Sequence, residues 1–170
     1  MTTDRLIQEY KARGDNLGEE LKPEEIDALI IALRQHLKVT DEELDLSPMS
    51  LKRLDQYLQG YHYRHLAENK TISNDETVQF VRDIAAYFGK VLMIKAGATW
   101  RGGNSLWDTS VQVEGLIKVV DGRNSYRSTK LVYALGAEAA AAWDCVTKGA
   151  KSQLYSSYLA MRKRVASQQL

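Results

Sequence analysis

Apolar residues recur at helical spacing through residues 1–97 and at strand spacing only after them. Leu6 and Tyr10 mark a first helix over about Thr3 to Ala12, which Gly14-Asp15-Asn16-Leu17-Gly18 interrupts. Pro23 suits a first helical position, and Glu24, Glu25 and Asp27 favour the positive end of the helix that follows. Ile26, Leu29, Ile30, Leu33 and Leu37 give that helix one apolar stripe. Thr40-Asp41-Glu42-Glu43 reads as a capping box, but Pro48 follows so closely that only a turn fits. Ser47-Pro48 opens the next helix as cap and first residue, with Leu51, Leu54, Leu58, Tyr61 and His65 on one face. Ser73-Asn74-Asp75-Glu76 caps the longest helix, over about Asp75 to Ala96. Its two apolar rows, Val78 to Leu92 and Phe80 to Ile94, predict a central position. Gly89 inside it costs about 1 kcal/mol against alanine, which a close crossing of another backbone would offset. Gly97 stops it.

Beyond Gly97 the spacing changes. Ala98-Thr99-Trp100 predicts a short strand, and Arg101-Gly102-Gly103-Asn104 a turn. Val111 to Glu114 alternates as a half-buried strand does, and Leu116 to Val120 reads as a second, more apolar strand. Asp121-Gly122 is a two-residue hairpin turn, with Arg123 to Tyr126 returning beside it. Helices are then expected over Ser128 to Leu135, Ala137 to Val146 and Lys151 to about Ala166, jointed at Gly136 and Gly149. Leu154, Tyr158, Met161 and Val165 form the buried row of the last. The fold class is α+β: helices packed on a small antiparallel sheet of three or four strands, rich in helix.

Composition narrows the class without naming a role. The 170 residues are 44% hydrophobic and 26% charged, ordinary globular values that exclude fibrous and disordered readings. No apolar run reaches membrane-helix length, and Met1-Thr2-Thr3-Asp4-Arg5 lacks the order of a signal peptide, so neither a membrane nor export is expected. A single cysteine, Cys145, fits the reducing cytosol. The net charge of +1 disfavours a dedicated nucleic-acid binder but averages two unlike parts. Residues 1–50 carry 6 Lys and Arg against 12 Asp and Glu, and residues 51–170 carry 17 against 10. Such a split marks either two surfaces that attract each other or different partners, or merely short acidic helices at one end.

Few side chains suggest chemistry. His62 and His65, three apart on a helix, would aim two imidazoles at one metal, but only Asp55 and Glu68 lie near in sequence. The interleaved Tyr61 and Tyr63 suggest an amphipathic rim instead. Cys145 has no histidine beyond His65 to activate it and sits among alanines, as a small buried hydrophobe does. Arg101 to Ser105 would present backbone amides to an anion, yet it lacks the Gly-Lys-Ser/Thr of a phosphate loop and leads toward a strand. Lys148, Lys151, Arg162, Lys163 and Arg164, with Tyr155 and Tyr158, would touch phosphates or simply complement the last helix's dipole. Trp100 and Trp107, at strand ends beside a Gly-rich turn, are the strongest binding candidates, with core packing as the alternative for Trp100. No paired-carboxylate, Ser-His-Asp or dinucleotide pattern is present, and no cofactor or metal is expected.

Three segments carry a resemblance. They are Leu44-Asp45-Leu46-Ser47-Pro48-Met49-Ser50-Leu51, then Ala86-Tyr87-Phe88-Gly89-Lys90-Val91-Leu92 before the strand ending at Trp100, and Tyr126 to Lys130 with Gly149 to Tyr158. In this order residues 44–164 resemble a family of uncharacterised bacterial domains of unknown function, which implies a single α+β domain over 44–170 with residues 1–43 outside it as an acidic helical arm. An acidic residue often follows the helix glycine in that family; Lys90 stands there in this chain. The resemblance implies small cytoplasmic proteins, some similar to immunity or accessory proteins, and transfers no catalytic residue. The expected function is therefore non-enzymatic binding of another protein, with Glu19, Glu20, Glu42 and Glu43 facing a basic partner if the role is of the immunity type. The alternative is a small-ligand or anion site in a helix–sheet cleft near Tyr87, Trp100, Arg101 and Trp107.

Overall fold

The structure, a computed structural model, describes residues 18–120, 124–150 and 153–166. The helix expected at Thr3 to Ala12, the Asp121-Gly122 turn and Lys151 lie outside the described residues. Among the described residues five α-helices and one sheet follow in order: α1 (Ile26–Leu37), α2 (Pro48–Ala67), α3 (Asn74–Ala96), β1 (Thr99–Gly102), β2 (Ser110–Val120), β3 (Asn124–Ala134), α4 (Leu135–Thr147) and α5 (Leu154–Ala166). The sheet is antiparallel in the order β1-β2-β3, which makes the fold α+β with three strands.

The helix starts follow from their caps. Ser47 Oγ accepts from the Ser50 amide at 3.2 Å ahead of Pro48. Ser73 and Glu76 close a reciprocal capping box at 3.2 and 2.8 Å. Thr40 and Glu43 make the same pair of bonds around a single turn, since Pro48 forbids a longer helix. Gly97 ends α3 at a φ of 64°, the left-handed cap that glycine adopts without strain.

The core is built around α3, which is buried from Phe80 to Leu92 apart from Arg82 and Lys90. α1 and α4 pack on it, α2 packs on α4 and α5, and β2 brings the sheet against α3, α4 and α5. Leu21, Ile26, Ile30, Leu33 and Leu37 belong to the same apolar cluster as Leu54, Phe88 and Trp143. Residues 18–43 are thus an integral part of the domain, and the boundary expected at 43/44 does not divide the fold. Among the described acidic residues Glu24, Asp27 and Glu42 are exposed, while the apolar stripe of α1 belongs to the core, so these charges mark solvent-facing positions on the domain.

Four further expectations are corrected. The two strands predicted on either side of Gly115 are one strand, β2; a Cβ there would stand 2.5 Å from Leu131 Cδ1 on β3, so the glycine is a site of close cover. The helix expected over Ser128 to Leu135 is strand up to Ala134, because β3 pairs residue for residue with β2 from Asn124↔Val120 to Ala134↔Ser110. Thr129, Val132 and Tyr133 are good strand formers, and the cross-strand ladder outweighs local helical spacing. Gly136 is no joint: it lies in the first turn of α4, where a Cβ would come within 2.1 Å of the Leu106 carbonyl oxygen. At Gly89 the close neighbour is the Leu135 side chain, with Cδ1 2.6 Å from a Cβ position, and not a crossing backbone.

Candidate functional site

The four residues expected to share a helix–sheet cleft have different surroundings. Tyr87 is fully buried on α3, and its hydroxyl donates to Ser50 Oγ at 2.5 Å and accepts from the Leu46 amide at 3.0 Å. Burial pushes that hydroxyl's pKa up, so it stays a neutral donor. Trp107 is 8% exposed and belongs to the core. Trp100 is half-buried on β1 and packs against the same core, while Arg101 beside it is exposed. Tyr87 is therefore a structural tyrosine that ties α3 to the start of α2.

The turn after β1 already holds anions of its own chain. Asp108 Oδ1 accepts from the Asn104 amide at 3.1 Å, the Ser105 amide at 2.7 Å and Ser105 Oγ at 2.8 Å. Burial raises the Asp108 carboxyl, and these hydrogen bonds outweigh it and hold the carboxyl below its ordinary range. The Gly103 amide points to Glu20 Oε2 at 3.4 Å. The amides predicted to receive an external anion thus receive the carboxylates of Asp108 and Glu20. A Cβ on Gly103 would meet the Asp108 backbone at 2.5 Å, which accounts for a glycine in this tight loop.

The acidic residues proposed to face a partner are only partly available. Glu43 accepts from the Thr40 amide and, at 3.2 Å, from the Tyr57 hydroxyl, and the Thr40 bond chiefly holds its carboxyl low. Glu20 has the Gly103 contact just described, while Glu19 and Glu42 are exposed.

A concave site lies elsewhere, between the end of α2, the loop to α3 and the end of α4. It is an open groove of about 320 Å³ lined by His62, His65, Leu66, Lys70, Thr71, Ile72, Thr77, Trp143 and Thr147. Trp143 lines it, and the rings of Tyr61 and Phe80 pack against Trp143. Phe80 lies 4.8 Å from Tyr61 and 5.1 Å from Trp143 by ring centroids, and His62 meets Trp143 edge-on at 6.2 Å. Leu66 stands on the rim at 56% exposure, a large apolar side chain outside the α2 core stripe. Lys70 pairs with Glu68, whose carboxyl is held low chiefly by that lysine's hydrogen bond.

His65 has a fixed orientation in the groove. Its Nδ1 lies 3.0 Å from the Tyr61 carbonyl oxygen. A carbonyl only accepts, so Nδ1 carries the hydrogen, and Nε2 is the acceptor of the neutral ring. Among the described residues no third His, Cys, Asp or Glu joins His62 and His65 in a metal-sized cluster. Burial pushes the Cys145 thiol up, away from the thiolate that a nucleophile requires.

Sequence reasoning placed His62 and His65 on one helix face but missed Leu66, Ile72, Trp143 and Thr147 as their neighbours. Two signals were legible: Leu66 departs from the Leu51–Leu58 stripe, and Ile72 is an isolated apolar residue directly before the Ser73 cap. That α4 would cross beside them was not, since it is a tertiary fact. No helix among the described residues is long and apolar enough to cross a membrane. No protein-family model, curated protein or solved structure matches the chain.

Proposed function

We propose that this protein is a non-enzymatic binding module that takes an apolar side chain of another protein into the groove between α2, α3 and α4. The observation that carries the reading is the groove's form: aromatic Trp143 in its wall, Leu66 exposed on its rim, and one side open. A small-molecule site encloses about 70–90% of its ligand, whereas this groove of about 320 Å³ is open on one side. An anchor side chain needs no such enclosure, because its own protein covers the outer face. The hydroxyls of Thr71, Thr77 and Thr147 and the Nε2 acceptor of His65 supply polar partners for the main chain beside the anchor. The occupied loop at Asp108 and the buried hydroxyl of Tyr87 weigh against the ligand site near Trp100.

The test places a photo-crosslinking residue at Leu66 or, as control, at Val132, both exposed. A partner trapped from position 66 in the native cell, absent from position 132 and lost when Thr147→Trp fills the groove, supports the reading. The same product from both positions, or one unchanged by Thr147→Trp, overturns it.

A further inference from the structure

Asp83 is a carboxylate inside the apolar body. Its side chain on α3 has no exposure. Gln79 Nε2, one turn earlier, donates to Oδ1 at 2.9 Å. Oδ2 has no hydrogen bond of good geometry among the described residues, and the nearest group of opposite charge is His36 Nδ1 on α1, at 3.4 Å. The His36 ring is half-exposed, so it exchanges protons with solvent directly while Asp83 does not. Arg82 also acts on Asp83, but its guanidinium is held by the Glu19 and Glu20 carbonyls at 2.8 and 3.1 Å and by Glu25 at 2.9 Å. Glu76, one turn before Phe80, is the further carboxylate that feels His36.

We propose that His36 and Asp83 form a proton-operated clamp between α1 and α3, seated when the pair holds a proton and loosened when it does not. With one proton the pair is neutral overall, whether as imidazolium and carboxylate or as imidazole and carboxylic acid. Without it, a carboxylate remains in an apolar interior with no compensating charge on His36, which is the costly state of any buried ion. A second proton adds charge only on the half-exposed ring, where water solvates it. The sign follows from the same geometry. Burial is the main influence on the Asp83 carboxyl and raises it, while Gln79, His36 and Arg82 pull the other way. The folded chain therefore holds a proton to higher pH than the unfolded chain, and stability falls as pH rises through that raised value.

The clamp reaches the groove through one ring. His36 lies 5.9 Å from Phe80, the ring that stacks on Tyr61 and meets Trp143 at a tilt. Losing the clamp proton thus frees the end of α1 and the back of the aromatic wall together. The clamp itself does not depend on whether the groove binds a partner.

The experiment measures urea unfolding of the full chain from about pH 4, the ordinary Asp value, to pH 8 for the wild type, Asp83→Asn and His36→Gln, with amide exchange of α1 at the same pH values. One linked proton changes the unfolding constant by at most about tenfold per pH unit. The wild-type constant is expected to rise by about fivefold or more over this range relative to that of Asp83→Asn, with protection lost at Leu33 and Leu37. His36→Gln leaves the carboxylate without its counter-charge and is expected to steepen the dependence. Parallel profiles for wild type and Asp83→Asn, within a factor of about two, overturn the proposal. If Asp83→Asn does not fold, a His36→Gln profile identical to the wild type does so.

Discussion

Removing one oxygen atom, by Tyr87→Phe, tests how the start of α2 is fixed to the centre of the protein. Tyr87 is fully buried, and its hydroxyl joins two segments: it donates to Ser50 Oγ at 2.5 Å and accepts from the Leu46 amide at 3.0 Å. Ser50 Oγ passes the chain on to the Ser47 carbonyl at 2.6 Å, at the cap of α2. Phenylalanine fills nearly the same volume, so packing changes little and the loss is polar. Ser50 keeps its bond to Ser47, but the Leu46 amide is left without its acceptor in a part-buried position. An orphaned donor costs about 1–3 kcal/mol, and the second, exchanged hydrogen bond about 1 kcal/mol. Leu46 also has a φ of 62°, a left-handed conformation that costs a leucine about 1–2 kcal/mol and needs such restraints to persist. The expected destabilisation is about 2–3 kcal/mol. Equilibrium urea unfolding should show a lower midpoint at an unchanged slope. Ser50→Ala breaks the same chain, so the double variant should cost less than the sum of the singles by about 1 kcal/mol. A Tyr87→Phe change below about 0.5 kcal/mol, or strict additivity with Ser50→Ala, would refute the reasoning.

Two glycines in helices should respond to alanine with opposite signs. Gly136→Ala places a Cβ 2.1 Å from the Leu106 carbonyl, where backbone must move, and is expected to cost about 1–3 kcal/mol by thermal unfolding. Gly60→Ala, in α2 with nothing within 4 Å, should stabilise by about 0.5–1 kcal/mol. Lys38 closes α1 at a φ of 56° on an exposed site, so Lys38→Gly is expected to stabilise by about 0.5–1 kcal/mol, read from the same melts.

What was legible in the sequence was local. The caps at Ser47, Thr40 and Ser73 form the bonds that their spacing implies, because a capping box needs only its own four residues. The buried faces of α1, α2 and α3 follow from helical periodicity alone. The failures all involve a second segment. Tyr126 to Ala134 has residues that suit a helix or a strand, and only the partner strand β2 decides between them. Gly136 looks like a joint until Leu106 is brought against it by the fold. The groove joins three helices and a loop distant in the chain, so no window of sequence contains it. Trp100 and Trp107 attracted attention as large aromatics near a turn, yet aromatics are placed by packing as often as by binding, and the structure puts Trp107 in the core with Trp100 packed against it.

The charge asymmetry also takes a different meaning once the helices are packed. Part of the acidic excess in residues 18–50 meets basic residues of the body directly. Glu25 pairs with Arg82 at 2.9 Å, Asp27 with Lys90 at 3.0 Å, and Asp45 with Arg53 at 3.0 Å. Lys90 therefore has a partner on α1, Asp27, that an acid at position 90 would repel. Such pairs do not hold α1 in place by themselves, since half-exposed ion pairs are worth about 0–1 kcal/mol each. Ile26, Ile30, Leu33 and Leu37 are each nearly fully buried, and burying such a side chain is worth about 1.5–3 kcal/mol. Apolar burial therefore outweighs charge in attaching α1. A segment attached mainly by apolar contact, with one buried carboxylate in that contact, is one whose hold responds to protonation at Asp83 more than to salt.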